Sequence, residues 1–346
     1  MIKVKISVMG APSEINLSQF LGNENNVYKN CKFYVNEKIK EADFWFIFDQ
    51  VNPDDNECYV SPKNVFLLVA EVAHPKEHFS YPRMLSHLKQ FNKVYTCYET
   101  YSKNEVYALP FLSWMINANH GDSLNERHLR DFKYFSNLKS LPKSEKISVF
   151  CSNRAATESH RQRLRFVHSL KNHFKDKLVW YGNGVNQIAQ KWDGIAPFKY
   201  HIALENQSSY NVITEKLYDS FLGLSYPIYH GAPNVNDYFS SKSMTSIDIK
   251  DLQSSIMKIE ELIDSNIWEK NIDYIIESKN KCINEFNVYH RIAEICMQSN
   301  LNVAQINKEK VKLNSVFTTY DYKRLLHKLS NVFIRVGRNG KKISMS

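Results

Sequence analysis

The stretch Phe198-Lys-Tyr-His-Ile-Ala-Leu-Glu-Asn-Gln-Ser-Ser-Tyr-Asn-Val-Ile-Thr-Glu-Lys-Leu-Tyr-Asp219 decides how this chain reads. A strand over Tyr200–Leu204 ends in Glu205-Asn206, a polar loop follows, and a helix opens with Thr214-Glu215-Lys216. Thr214 is a good N-cap, and Glu215 suits the positive end of a helix. Two uses of this unit stay open: a capped helix with a surface ion pair, or a phosphate site. In the second, free N–H groups of the first helical turn attract the anion and Lys216 adds a point charge. Glu215 then accepts hydrogen bonds from sugar hydroxyls.

Strands and helices alternate on both sides of this unit. Downstream, Pro227–Tyr229 reads as a strand, Leu252–Ile263 as a helix and 267–300 as largely helical. Upstream, strands at Ile147–Cys151 and Leu178–Tyr181 flank a helix over Glu158–Phe174. The polar run Ser140-Leu-Pro-Lys-Ser-Glu-Lys146 breaks the pattern and reads as a linker. Before it, strands at Ile2–Met9, Phe44–Phe48, Val65–Ala70 and Val94–Cys97 alternate with helical periodicity over Tyr81–Phe91 and Asn125–Leu138. The expected class is α/β, with two doubly wound, Rossmann-like domains (1–140 and 141–300) facing a cleft. Ligands of such sheets bind at the carboxyl ends of the strands.

Those strand ends carry the remaining candidates. After Val149-Phe-Cys151 come Ser152-Asn153 and a helix with Arg161, Arg163 and Arg165. Arginines two apart diverge on a helix, so at most one or two face a single ligand and the rest form a solvated face. Tyr181-Gly-Asn-Gly184 is a turn after a strand, too short for a dinucleotide fingerprint. In the first series, Val65-Phe-Leu-Leu-Val-Ala70 ends in Glu71, either a carboxylate placed for the cleft or an ordinary strand-end pair. His74-Pro-Lys-Glu-His78 fits H-x-x-E-H, but Pro75 denies the continuous helix face that zinc needs. No Asp-x-Asp motif, G-x-S-x-G or Walker loop is present.

Composition narrows the class further. With 43% hydrophobic and 13% aromatic residues, a mostly disordered chain is excluded. No apolar run approaches the ~20 residues of a membrane span, and the start of the chain lacks the apolar core and cleavage site of a signal peptide. The 6 cysteines are scattered without a C-x-x-C pair, which disfavours a disulfide scaffold or zinc cluster and favours a reducing compartment. The net charge of +9 is unevenly placed: from Lys308 onward, ten basic residues face only Glu309 and Asp321, a net +8 that leaves +1 for residues 1–307. A near-neutral body offers no basic face for a duplex, so nucleic acid is the least expected partner. In the 301–346 tail, Tyr322, Leu325, Leu326, Leu329, Val332, Phe333 and Val336 recur at helical spacing between cations. This basic amphipathic helix lies in an anionic membrane interface or docks on its own domain.

The run Lys199–Asn206, then Thr214-Glu215-Lys216, then Pro227-Ile-Tyr-His-Gly231 with Ala232-Pro233 resembles the signature of the α-1,3/4-fucosyltransferase family, glycosyltransferase family 10, of bacterial type. The resemblance covers about residues 147–245 well and the first half loosely. It implies a GT-B fold in which the second domain binds GDP-fucose and the first holds the acceptor. The implied reaction is an inverting, metal-independent transfer of L-fucose from GDP-L-fucose to a hydroxyl of a GlcNAc- or galactose-containing glycan, with no cofactor. Arg163, chosen by its distance to Leu170, and Lys216 match the positions that neutralise the pyrophosphate. Asn206 and Glu215 match positions on ribose or fucose hydroxyls, and Ser152 and Asn153 fall in the family's order. Val212 stands where the family usually carries Tyr, with Tyr210 as a substitute; this departure keeps another GDP-deoxysugar open as donor.

Inverting transfer needs a carboxylate to take the acceptor's proton and positive charge on the departing diphosphate. Glu71 resembles the family's base in its place after a strand, with His74 and Arg83 as acceptor-side candidates. The lack of an Asp-x-Asp motif agrees with Arg163 and Lys216 taking the role of a metal. The expected setting is cytoplasmic, with the tail at the cytoplasmic face of the inner membrane near lipid-linked glycans. The alternative outside enzymes is a non-catalytic nucleotide or nucleic-acid binder acting through its tail.

Overall fold

Seven strands build the first sheet of the computed structural model, which describes residues 1–9, 17–70, 86–100, 102–117, 130–299 and 307–315. They are β1 (Ile2–Val8), β2 (Val27–Tyr28), β3 (Cys31–Val35), β4 (Phe44–Phe48), β6 (Val65–Leu68), β7 (Lys93–Thr96) and β8 (Glu105–Tyr107); β5 (Glu57–Val60) lies apart. The sheet order is β2-β3-β1-β4-β6-β7-β8, parallel except for the β2–β3 pair. Phe44-Trp-Phe-Ile-Phe48 is apolar at every position because both faces of this central strand are covered.

The second sheet contains β9 (Ser144–Phe150), β10 (Leu178–Tyr181), β11 (Phe198–Leu204), β12 (Tyr226–His230) and β13 (Thr245–Ser246), all parallel, in the order β10-β9-β11-β12-β13. The chain reverses its direction of growth between β9 and β11, which makes that crevice the topological switch point. The two sheets are the two doubly wound halves expected from the alternation. Part of the polar run taken as a linker is strand: Ser144 starts β9 and pairs with Phe198.

Short strands β2, β3, β5, β8 and β13 were not expected. The helical expectation over Tyr81–Phe91 falls partly outside the described residues, with 86–88 helical. That over Asn125–Leu138 begins outside them and ends in α2 (Phe132–Asn137), which follows α1 (Ser18–Leu21).

Helices do not respect the division at 140. The second domain carries α3 (Glu158–Phe174), α4 (Glu215–Leu222), α5 (Leu252–Asp264), α6 (Ile267–Lys270) and α7 (Ile272–Asn284). Phe135 of α2 is buried in the second core, and Lys279 of α7 donates to Leu138 O at 2.7 Å. In return, α8 (Val288–Ser299) packs Val288, Ile292, Ala293 and Cys296 into the core of the first sheet. Arg291 fastens it there, donating to Leu109 O and Pro110 O at 2.8 Å each. The expectation that 288–299 belongs with the second domain is corrected: the apolar face of an amphipathic helix does not reveal which sheet completes it.

The tail also begins differently from the expectation of one basic unit over 301–346. β14 (Glu309–Lys312) pairs antiparallel with β5, and Leu313 is buried in the first domain. Lys308 reaches Glu41 and Asp43 at 2.7 Å each, and Lys310 reaches Glu57 at 3.1 Å. Glu309-Lys-Val-Lys312 is an edge strand in which Lys310 finds a carboxylate on the neighbouring β5, which a reading by net charge conceals. The amphipathic stretch from Tyr322 to Val336 lies outside the described residues. Among the described residues no helix is long and apolar enough to cross a membrane.

Candidate functional site

All seven positions of β11 are buried, and the strand delivers its next residue, Glu205, only 1% exposed, to the switch point. An unpaired carboxylate there would be costly. Thr214 N and Oγ1 donate to Glu205 Oε1 at 2.8 and 2.9 Å, and Lys216 Nζ lies 3.4 Å from Oε2. Thr214 does cap α4, accepting from Lys216 N at 3.4 Å while its hydroxyl serves Glu205. The loop therefore closes onto the strand end through one buried acid.

Lys216 sits between two carboxylates, with Glu215 Oε1 at 3.1 Å. Burial alone would lower its pKa, but Glu205 and Glu215 outweigh burial and hold the ammonium well above its ordinary range. Burial would raise the carboxyl of Glu215, yet Lys216 and Lys191 pull it down to about 2, so it is ionised at neutral pH. Burial raises Glu205, with Lys216 and the Thr214 bonds opposing.

The three arginines of α3 separate. Arg161 and Arg165 both pair with the exposed Glu158, at 2.9 and 2.8 Å. Arg163 turns inward, where Nη1 donates to Leu204 O at a long 3.4 Å and Nε is buried without a hydrogen-bond partner among the described residues. Burial pulls its pKa down, with Cys151 and Glu205 opposing. A guanidinium held in place with donors to spare, beside the start of α4, has the chemistry to receive an anion.

Ser152 and Asn153 are exposed at the end of β9, across the crevice. The turn from Tyr181 closes on them: Asn153 Nδ2 donates to Gly184 O at 3.3 Å, and a Cβ on Gly182 would lie 2.4 Å from Cys151 O. Asn206 accepts from Ser159 Oγ through its backbone oxygen and lines a pocket of about 520 Å³ with Gln207, His230, Gly231, Asp248 and Lys250. Tyr210 is 67% exposed and lies outside that lining, whereas Val212 is fully buried against the first domain. Glu71, His74, Arg83 and the His74–His78 motif lie outside the described residues.

Residue spacing missed five members of this neighbourhood. Glu205 was read as a strand end, although an acid directly after the apolar Ile202-Ala-Leu204 is itself a signal. Lys191 pairs with the fully buried Asp219, whose other oxygen accepts from Met115 N at 2.8 Å; these contacts join distant parts of the chain. Asp248 and Lys250 follow the two-residue strand β13, which was not expected.

Two doubly wound sheets with cations gathered at the switch point of the second define the GT-B class. Residues 141–266 match the family model described as glycosyltransferase family 10 (fucosyltransferase) C-term. An α-(1,3)-fucosyltransferase of Helicobacter pylori is 30% identical over 70 residues, which are 20% of this chain and 15% of that relative. The chain thus spans under a sixth of that relative's length in the match. A crystal structure of an α1,3-fucosyltransferase aligns over 78% of this chain and 80% of its own, with 17% identity and a TM-score of 0.50, and shares the fold. A second, with GDP, covers 84% of this chain and 92% of its own at 16% identity and a TM-score of 0.47.

Proposed function

We propose that the protein is an inverting fucosyltransferase that moves L-fucose from GDP-L-fucose to a hydroxyl of a GlcNAc- or galactose-containing glycan. The observation that carries this reading is Arg163, inward-facing with unused donors, beside Lys216 and the first turn of α4, within a family 10 domain. Departure of GDP puts negative charge on the diphosphate. A fixed guanidinium, an ammonium and the positive end of α4 receive that charge. No divalent ion is needed for that task. Glu215, ionised between Lys216 and Lys191, accepts hydrogen bonds from the hydroxyls of ribose or fucose. Asn206, Ser152 and Asn153 complete the polar rim of the crevice.

Glu71 takes the proton of the attacking acceptor hydroxyl, on the face of the sugar opposite the leaving diphosphate. The residues after 315, rich in Lys and Arg, bring the enzyme to an anionic membrane surface carrying its acceptor. The test compares wild type with Glu71→Ala for fucose transfer and for GDP binding by calorimetry. Transfer is expected to vanish and GDP binding to persist. Transfer surviving in Glu71→Ala removes the base assignment, and a wild-type protein that binds no GDP removes the donor reading.

A further inference from the structure

We propose that Val212 is a positioning residue: it latches the loop between Asn206 and Thr214 to the strand ends of the first domain, so that the diphosphate site and the strand leading to Glu71 move as one. This rests on the function proposed above. The loop is held from two sides. Asn211 ties it to the second domain: it adopts a left-handed φ of 62°, its backbone N donates to Asn234 Oδ1 at 2.9 Å, and its side-chain Oδ1 accepts from Tyr238 OH at 2.6 Å. Tyr229 OH donates to Val212 O at 3.3 Å. Two of the loop's side chains, those of Val212 and Gln207, belong to the first domain. Val212 is fully buried in a cluster with Trp45, Ile47, Val69, Cys97 and Tyr98. Gln207 Nε2 donates to the hydroxyl of Tyr98.

The two anchor points stand where the chemistry meets. Val69 is the second residue before Glu71, and Tyr98 follows β7 on the neighbouring strand. On the other side, the loop ends are Glu205-Asn206 and Thr214-Glu215-Lys216. A shift of one domain against the other therefore drags the diphosphate-binding ends of the loop. Transfer rate depends steeply on the distance between base, acceptor oxygen and sugar carbon, whereas binding of GDP alone does not involve the first domain's base. A buried valine in a foreign core is not a donor contact, which also accounts for a position where aromatic contact with a donor is not required.

The latch is tested with Val212→Ala and the conservative Val212→Ile, reading kcat, GDP affinity and hydrogen exchange of the 207–213 amides. Val212→Ala is expected to lower kcat on the order of tenfold, to leave the GDP Kd within about twofold, and to speed exchange in 207–213, with Val212→Ile near wild type. Unchanged kcat with unchanged exchange overturns the proposal, as does a loss of GDP affinity that matches the loss of kcat. Should Val212→Ala fail to fold, a double-mutant cycle of Gln207→Leu and Tyr98→Phe replaces it: non-additive effects on kcat support the latch and additive ones overturn it. Hydrogen exchange decides the latch even if wild type transfers no fucose, an outcome that would refute only the functional reading.

Discussion

Replacing Arg163 by methionine separates a ligand-binding cation from a structural one. In the structure its guanidinium makes one long bond to Leu204 O and leaves Nε unpartnered. Leaving a buried donor unsatisfied costs about 1–3 kcal/mol, and a hydrogen bond to a charged group contributes about 1.5–3 kcal/mol. Arg163→Met thus gives up little inside the free protein and relieves a desolvated group, although it also removes an attraction to Glu205. Its unfolding free energy in urea should stay within about 1 kcal/mol of wild type, or rise. Against GDP, the same substitution forfeits a charge-assisted contact to phosphate, so calorimetry should find affinity lowered roughly 10- to 150-fold. A variant that binds GDP as wild type does, or that loses more than about 2 kcal/mol of stability, refutes the reasoning, because either result makes Arg163 a structural residue.

Lys216→Met should behave oppositely, losing about 3–5 kcal/mol of stability because Glu205 is left buried without its cation; a stable Lys216→Met protein contradicts the buried pair. Stability should also fall with acid. Burial holds His87 down to about 4 and His201 down to about 3, against about 6.5 unfolded, so the unfolded chain takes up protons first. Their contribution is complete above about pH 6.5 and declines toward those folded values, by about 2 kcal/mol each at pH 5. Equal urea midpoints at pH 7 and pH 5 would sink this, and His201→Gln should lessen the loss by about 2 kcal/mol. Transfer should continue undiminished in EDTA; a rate restored only by magnesium or manganese contradicts the cationic reading of Arg163 and Lys216. Removing 316–346, and not the strand-paired 308–315, should abolish sedimentation with anionic vesicles while leaving transfer to a soluble acceptor intact. Sedimentation that persists places the membrane contact elsewhere.

What the sequence revealed is local. The unit from β11 to α4 was legible because a strand closing on Ile202-Ala-Leu204, a Thr cap and the following acid and lysine all lie within one short stretch. The divergence of the three arginines was legible too: Arg161 and Arg165 turn to Glu158, and Arg163 faces inward. Illegible were the features that depend on distant partners. Glu205 looks like any strand-end acid until Thr214 and Lys216 are folded onto it. The pairing of Lys191 with Asp219 joins residues 28 apart, and α8 crosses to a sheet formed by the start of the chain. Glu309–Lys312 was hidden inside a run of charge, although alternation around Val311 is all an edge strand requires. Val212 seemed a departure at a donor contact, but its buried surroundings belong to the other domain.

Fucose transfer from a GDP donor held by Arg163 and Lys216 is the activity proposed for this chain. Incubating the full-length protein with GDP-L-fucose over a glycan array, and determining the mass and linkage of any product, tests it most directly. The expected result is a single added fucose on GlcNAc- or galactose-containing glycans, abolished by Glu71→Ala and supported far less well by GDP-mannose. Transfer from GDP-mannose or another GDP-deoxysugar with none from GDP-fucose, or no transfer beside tight, salt-sensitive binding of DNA or RNA, would contradict it.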